Sequence, residues 1–218
     1  MEILMKLVDI LMHLDVHIAW LVNTYGVWTY VILFSIVFLE TGIVVTPMLP
    51  GDSLLFTVGA VAATGALKPL WVCVVLGFAA IAGDTLNYWI GHYLGPRVFQ
   101  SDKSRFLNRE HLQRTHHFFE TYGGKTIIIA RFVPIVRTFA PFVAGVGSMR
   151  YFKFLLYNII GGVMWVIICV YAGVFFGNLP FVKKHFELVL LGIIGVSLLP
   201  TMVEYFLHSS QSIKPGNP

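Results

Sequence analysis

This chain predicts an all-α, polytopic integral membrane fold. It contains two inverted repeats, each a re-entrant helical hairpin followed by a transmembrane helix, with an N-terminal amphipathic helix and a C-terminal transmembrane helix around them. Three observations point there. Of 218 residues, 57% are hydrophobic and 12% charged, whereas soluble domains run about 45–50% apolar and about 25% charged; the mean hydropathy is +0.78. Two apolar regions are cut by proline clusters into arms too short for about 30 Å of hydrocarbon, which takes roughly 20 helical residues. Lysine and arginine gather at one end of the spans. A single membrane domain over residues 1–218 accounts for all three.

The elements come in this order. In residues 1–25, Ile3, Leu7, Ile10, Leu11, Leu14 and Ile18 recur at helical spacing, and Asp9, His13, Asp15 and His17 interrupt the apolar run that a signal peptide needs. This is an amphipathic helix, lying at the interface or packed on the bundle. Residues 27–67 form the first hairpin: an apolar arm runs into "TPMLPGD", with Pro47, Pro50 and Gly51 at the break, and a short second arm stops at Lys68 and Pro69. Residues 70–91 are long enough to span. Residues 92–125 form an amphipathic segment, and residues 126–149 form the second hairpin, with Pro134 and Pro141 as its breaks. Residues 152–176 and 188–207 are two further spans.

Proline removes a backbone donor and clashes with the preceding turn, so helices break there. Within a membrane the freed backbone groups must be buried in protein or line a wet cavity. A kinked full span through each proline cluster is the alternative. Setting Pro50 over Pro134 brings Ala60 over Ala144 and Pro69 over Lys153, so the two halves correspond in pattern.

Arg97, Lys103, Arg105, Arg109, Arg114 and Lys125 lie between the first span and the second hairpin, followed by Arg150 and Lys153; the other side receives Lys68, Lys183 and Lys184. Residues 92–125 are therefore cytoplasmic. The first hairpin then opens outward and the second inward, the opposed topology of many secondary transporters.

Four ionisable residues fall at the hairpin tips: Glu40 and Asp52 in the first, Arg131 and Arg137 in the second. Each costs about 2.5–3.5 kcal/mol at mid-membrane on insertion scales. Facing tips would bring both signs together with a formal sum of zero. Such a cluster either pins one hairpin to the other or forms a polar substrate site. Arginine forks suit phosphate and carboxylate, so Arg131 and Arg137 are the candidate substrate ligands; Glu40 and Asp52 are candidates for proton coupling. Asp84, in "AGDTLNYW", is a third acid within a span, read as a proton relay or as part of a helix-packing network.

Other chemistries find little footing. The net charge of +4 is dispersed, without the basic stripe that nucleic acid would require. Cys73 and Cys169 lie in separate apolar spans and read as small core residues. No metal-ligand spacing, Walker loop or HExxH occurs, and "GDS" at residues 51–53 has no histidine in the neighbouring apolar segments. His116 and His117 read as interfacial, and Glu187 and Glu204 as able to reach the interface. No enzyme, metal or cofactor is expected, and a homo-oligomer stays open.

The segments "ETGIVVTPMLPGDSLLF" and "GGKTIIIARFVPIVRTFAPFVAG", with "YGVWTY", "GDTLNYWIG" and "YNIIGGVMW", resemble the bacterial DedA family of inner-membrane proteins over nearly the whole chain. The resemblance implies facing re-entrant hairpins and a link to recycling of undecaprenyl phosphate, to phospholipid distribution and to proton-dependent tolerance of alkali and drugs. The family's acidic pair matches Glu40 and Asp52, and its arginine pair Arg131 and Arg137. The function it implies is a proton-coupled transporter of an anionic lipid or lipid phosphate, undecaprenyl phosphate first. A proton/cation antiporter-like protein and a non-transporting membrane-organising factor are the alternatives.

Overall fold

The computed structural model describes residues 13–43, 51–99, 123–186, 188–193 and 195, all helical or connecting. Eight helices are named here: α1 (Leu14–Tyr25), α2 (Trp28–Gly42), α3 (Gly51–Ala62), α4 (Pro69–Phe99), α5 (Lys125–Ala130), α6 (Pro134–Val146), α7 (Tyr151–Phe176) and α8 (Pro180–Lys184). Residues 188–193 are also helical. Among the described residues two helices are long and apolar enough to cross a membrane, Pro69–Leu94 within α4 and the whole of α7. At 1.5 Å per residue, α2, α3 and α6 reach only about 18–23 Å and α5 about 9 Å. None of these four can span alone.

Each long helix carries a polar and small-residue stripe inward and large apolar residues outward. On α7, Phe154, Asn158, Gly161, Gly162, Trp165, Val166, Val170 and Gly173 are buried. Phe152, Leu156, Ile160, Val163, Ile167 and Phe175 are exposed, as a lipid-facing surface requires. On α4 the buried stripe is Val72, Leu76, Ala79, Ala80, Asp84, Asn87 and Tyr88, opposite exposed Leu70, Trp71, Val74 and Phe78. The spacings of three and four are those of one helix face.

Packing pairs the elements in a crossed fashion. Helix α4 holds α2 on one side and α6 on the other, while α7 holds α3 and α5. Two close crossings are made through glycine. A Cβ on Gly59 of α3 would strike the Val170 carbonyl of α7, and one on Gly173 the Phe56 carbonyl. A Cβ on Gly91 of α4 would strike the Phe142 carbonyl of α6, and one on Gly145 the Tyr88 carbonyl. Small residues at such crossings let backbones meet, as in other membrane bundles. The Tyr88 hydroxyl donates to the Met149 carbonyl, tying α4 to the turn that ends α6.

Several expectations change. The helix of residues 70–91 runs on to Phe99, so α4 takes in the start of the expected amphipathic segment. The break in the second arginine-bearing region lies at Arg131–Val133, and Pro141 is inside α6 rather than at a break. Proline at the eighth position of α6 removes one intrahelical bond, while packing on α4 holds the turns on either side. Pro134 does sit at the break, at the N-terminal end of α6, with Val133 extended before it (φ −112, ψ 109). Within the expected N-terminal amphipathic helix, residues 14–25 pack on the bundle through Leu14, Ile18 and Val22, against α3. Cys73 and Cys169 are free and pack against the core, as expected. Residues 1–12, Pro47, Pro50, His116, His117, Glu187, Glu204 and the end of the expected 188–207 span lie outside the described residues.

Candidate functional site

The end of α2 and the start of α3 meet through a carboxylate. Glu40 is in the last turn of α2, and its Oε1 accepts the Gly51 backbone N–H at 3.1 Å. A carboxylate on the first amides of a helix is favoured by the free donors and the dipole there. The same oxygen accepts from Arg137 Nη2 at 2.5 Å, and Asp52 Oδ1 accepts from Arg137 Nη1 at 3.0 Å. Arg137, in the first turns of α6, therefore holds two carboxylates at once.

Arg131 takes a different partner. Its Nη2 is paired with Asp84 Oδ2 of α4 and also donates to Asn158 Oδ1 of α7 at 2.7 Å. Asn158 in turn donates to the Ile81 carbonyl at 3.1 Å, fixing its amide. The sequence reading grouped Glu40 and Asp52 against both arginines. The structure gives both of those acids to Arg137 and brings Asp84 in for Arg131. Three acids thus face two arginines, a formal charge of −1 when all are ionised.

Trp165 of α7 joins the two groups. Its Nε1–H donates to Asp52 Oδ1 at 2.7 Å. Its ring lies 4.9 Å from Arg137 Cζ and 5.9 Å from Arg131 Cζ, within cation–π range of both. Asn87 of α4 bridges the shorter helices, donating to the Thr41 carbonyl at 3.3 Å and the Thr138 carbonyl at 2.7 Å.

A cavity of about 10 Å³ lies at the centre, lined by Thr41, Asp84, Arg131, Arg137, Thr138 and Trp165. That is room for about one water molecule and far less than a phosphate group needs. Around it Arg131 Nη1, Arg137 Nε and Glu40 Oε2 are buried with no hydrogen-bond partner among the described residues. Each such atom costs about 1–3 kcal/mol, more when charged. Among the described residues no cluster of histidine, cysteine and carboxylate could hold a metal.

Trp165, Asn158 and Asn87 were not singled out from sequence as site residues. Their signals are there: Asn158 and Trp165 are seven apart on one face of an otherwise apolar helix. A buried indole N–H also needs a partner. Of the expected breaks, Gly51 opens α3 within contact of Glu40, and Pro134 opens α6.

Long apolar helices, shorter apolar arms and a buried cluster of opposite charges define an all-α polytopic membrane protein. The VTT domain model matches residues 49–175. The chain is 52% identical to Protein DedA of Escherichia coli K12 over 210 residues, covering 95% of this chain and 96% of that one. An uncharacterized membrane protein of Mycobacterium tuberculosis is 48% identical over 178 residues, 78% of this chain and 76% of its own. The inner membrane protein YqjA of E. coli K12 is 36% identical over 157 residues, 72% and 71% of the two chains. The chain belongs to the DedA family of multi-pass membrane proteins, whose setting is lipid homeostasis and transport. No solved structure matches it.

Proposed function

We propose that this protein is a proton-coupled carrier in the bacterial inner membrane that moves an anionic lipid or lipid phosphate between leaflets, with undecaprenyl phosphate the leading candidate. In this reading α2–α3 and α5–α6 are two re-entrant hairpins entering from opposite sides, related as inverted repeats. The observation that carries it is Arg137 shared between Glu40 and Asp52 beside a cavity that Arg131 also lines. Two guanidiniums with buried donors that have no partner among the described residues suit an arriving anion, and neither can lose its charge.

A cavity near 10 Å³ corresponds to an occluded conformation, closed over its own ion pairs. An entering phosphate competes with the carboxylates for Arg137, and the charge count then supplies the coupling. Among the described residues, three acids against two arginines leave −1, which one proton on Glu40 Oε2, buried with no partner among those residues, would neutralise. A phosphate adds negative charge again, so its binding draws in a further proton on a carboxylate that Arg137 releases. The carried species is thus an anion together with protons.

Purified protein in liposomes, with labelled lipid phosphate in one leaflet, tests this with and without a pH gradient. Flux that responds to the gradient and falls by roughly tenfold or more in Arg137→Lys is the expected result. Proton flux driven by cations without lipid movement would point to an antiporter-like protein instead. Absence of both would leave a membrane-organising role.

A further inference from the structure

A second concave site lies well away from the charged cluster. It is a groove of about 640 Å³ between the start of α2, the turn at residues 63–68 and the start of α4. That volume falls within the range of small-molecule sites, roughly 300–1,000 Å³. Its walls are apolar, with Val27, Val31, Trp71 and Val75 among them, and Lys68 and Tyr30 bring the polar groups. The Lys68 backbone N–H donates to the Tyr30 hydroxyl at 3.0 Å, which ties the turn to α2 and sets the groove's width.

The depth of the groove decides what can fill it. Tyr30 is ten residues from Glu40 on α2, about 15 Å along the helix axis. That is half of a hydrocarbon core of about 30 Å. With Glu40 near mid-membrane, the groove lies at the headgroup level of one leaflet. Tyr25, Trp28 and Trp71 are exposed at the same end, as an aromatic belt requires. The lysine and arginine bias makes this the outer face. An apolar slot with one ammonium at its rim matches an acyl chain below a phosphate.

We infer that this groove is a binding site for an anionic membrane lipid of the outer leaflet, with its phosphate on Lys68 and its chain along Val31 and Val75. The site goes beyond the transport reading and stands without it, since binding is required here and movement is not.

Quenching of Trp71 fluorescence by brominated-chain lipids tests the assignment in the reconstituted full chain. The Trp71 signal is the difference between the protein and its Trp71→Phe variant. Phosphatidylglycerol should quench Trp71 at several-fold lower mole fraction than phosphatidylcholine. Lys68→Gln should abolish that preference, Lys68→Arg should keep it, and Val31→Phe should weaken quenching by both lipids. Equal quenching by the two lipids, or a preference unchanged in Lys68→Gln, overturns the site. Lipid flux is not read in this experiment, so failure of the carrier reading leaves its result intact.

Discussion

Arg137 and Arg131 share one tryptophan and one cavity, yet they are held in opposite ways. Arg137 is gripped by carboxylates at helix ends, Glu40 closing α2 and Asp52 opening α3, and the Asp52 side chain is 21% exposed. Arg131 is gripped from the middle of two long helices, by Asp84 on α4 and Asn158 on α7, and the Arg131 and Asp84 side chains are 4% and 6% exposed. Partners on helix ends shift when the ends move, whereas Asp84 and Asn158 lie within continuous helices and stay fixed relative to them. In the proposed carrier this difference would give Arg137 the larger part in exchange and Arg131 the larger part in anchorage.

The sharpest way to break that division is to remove the anchor. Asp84→Leu leaves Arg131 buried without its counter-charge, which should cost about 3–5 kcal/mol. Thermal unfolding in detergent should register a large drop, and Asp84→Leu with Arg131→Leu should recover most of it. A tolerated single variant would mean that the pair anchors nothing.

Trp165→Phe comes next. It keeps a ring over both guanidiniums and removes the N–H that Asp52 accepts, a charge-assisted bond worth about 1.5–3 kcal/mol. A double-mutant cycle should show coupling of Trp165 to Asp52 and little to Asp84. Arg137→Lys preserves charge but not the fork that holds two acids. Lipid flux should fall by roughly tenfold or more, the equivalent of about 1.4 kcal/mol in a barrier, with a smaller loss of stability than Asp84→Leu. The smallest change is expected from Asp52→Asn, which can still accept from Trp165. Flux should persist but become the same with and without a pH gradient.

Much of this was legible in the residues. Composition and the lysine and arginine asymmetry bear directly on the solvent and the orientation. The short arms around residues 44–50 and 131–133 follow from proline chemistry, and Glu40, Asp52, Arg131 and Arg137 stand out as charges in apolar surroundings. Their pairing was not legible, because which acid an arginine meets depends on the depth and rotation of helices far apart in the chain. Asp84 reads as a proton relay or as part of a helix-packing network, with Asn87, Tyr88 and Gly91 continuing its helix face at spacings of three, four and seven, but nothing in that pattern names Arg131 as its partner. Pro141 read as a break because sequence alone does not reveal that α6 is braced on α4. The extension of α4 to Phe99 was hidden by Gly95 and Pro96, a pair that reads as a turn.

The crossed packing of the four short helices carries a mechanical consequence. Helix α4 grips α2 and α6, and α7 grips α3 and α5. Each proposed hairpin is thus straddled, one arm on each long helix. Rocking α4 against α7 about their crossing would spread the arms at one membrane face and pinch them at the other. In the proposed carrier the two mouths would be geared together like the ends of a seesaw, with the close backbone contacts at Gly59–Gly173 and Gly91–Gly145 coupling each arm to its long helix.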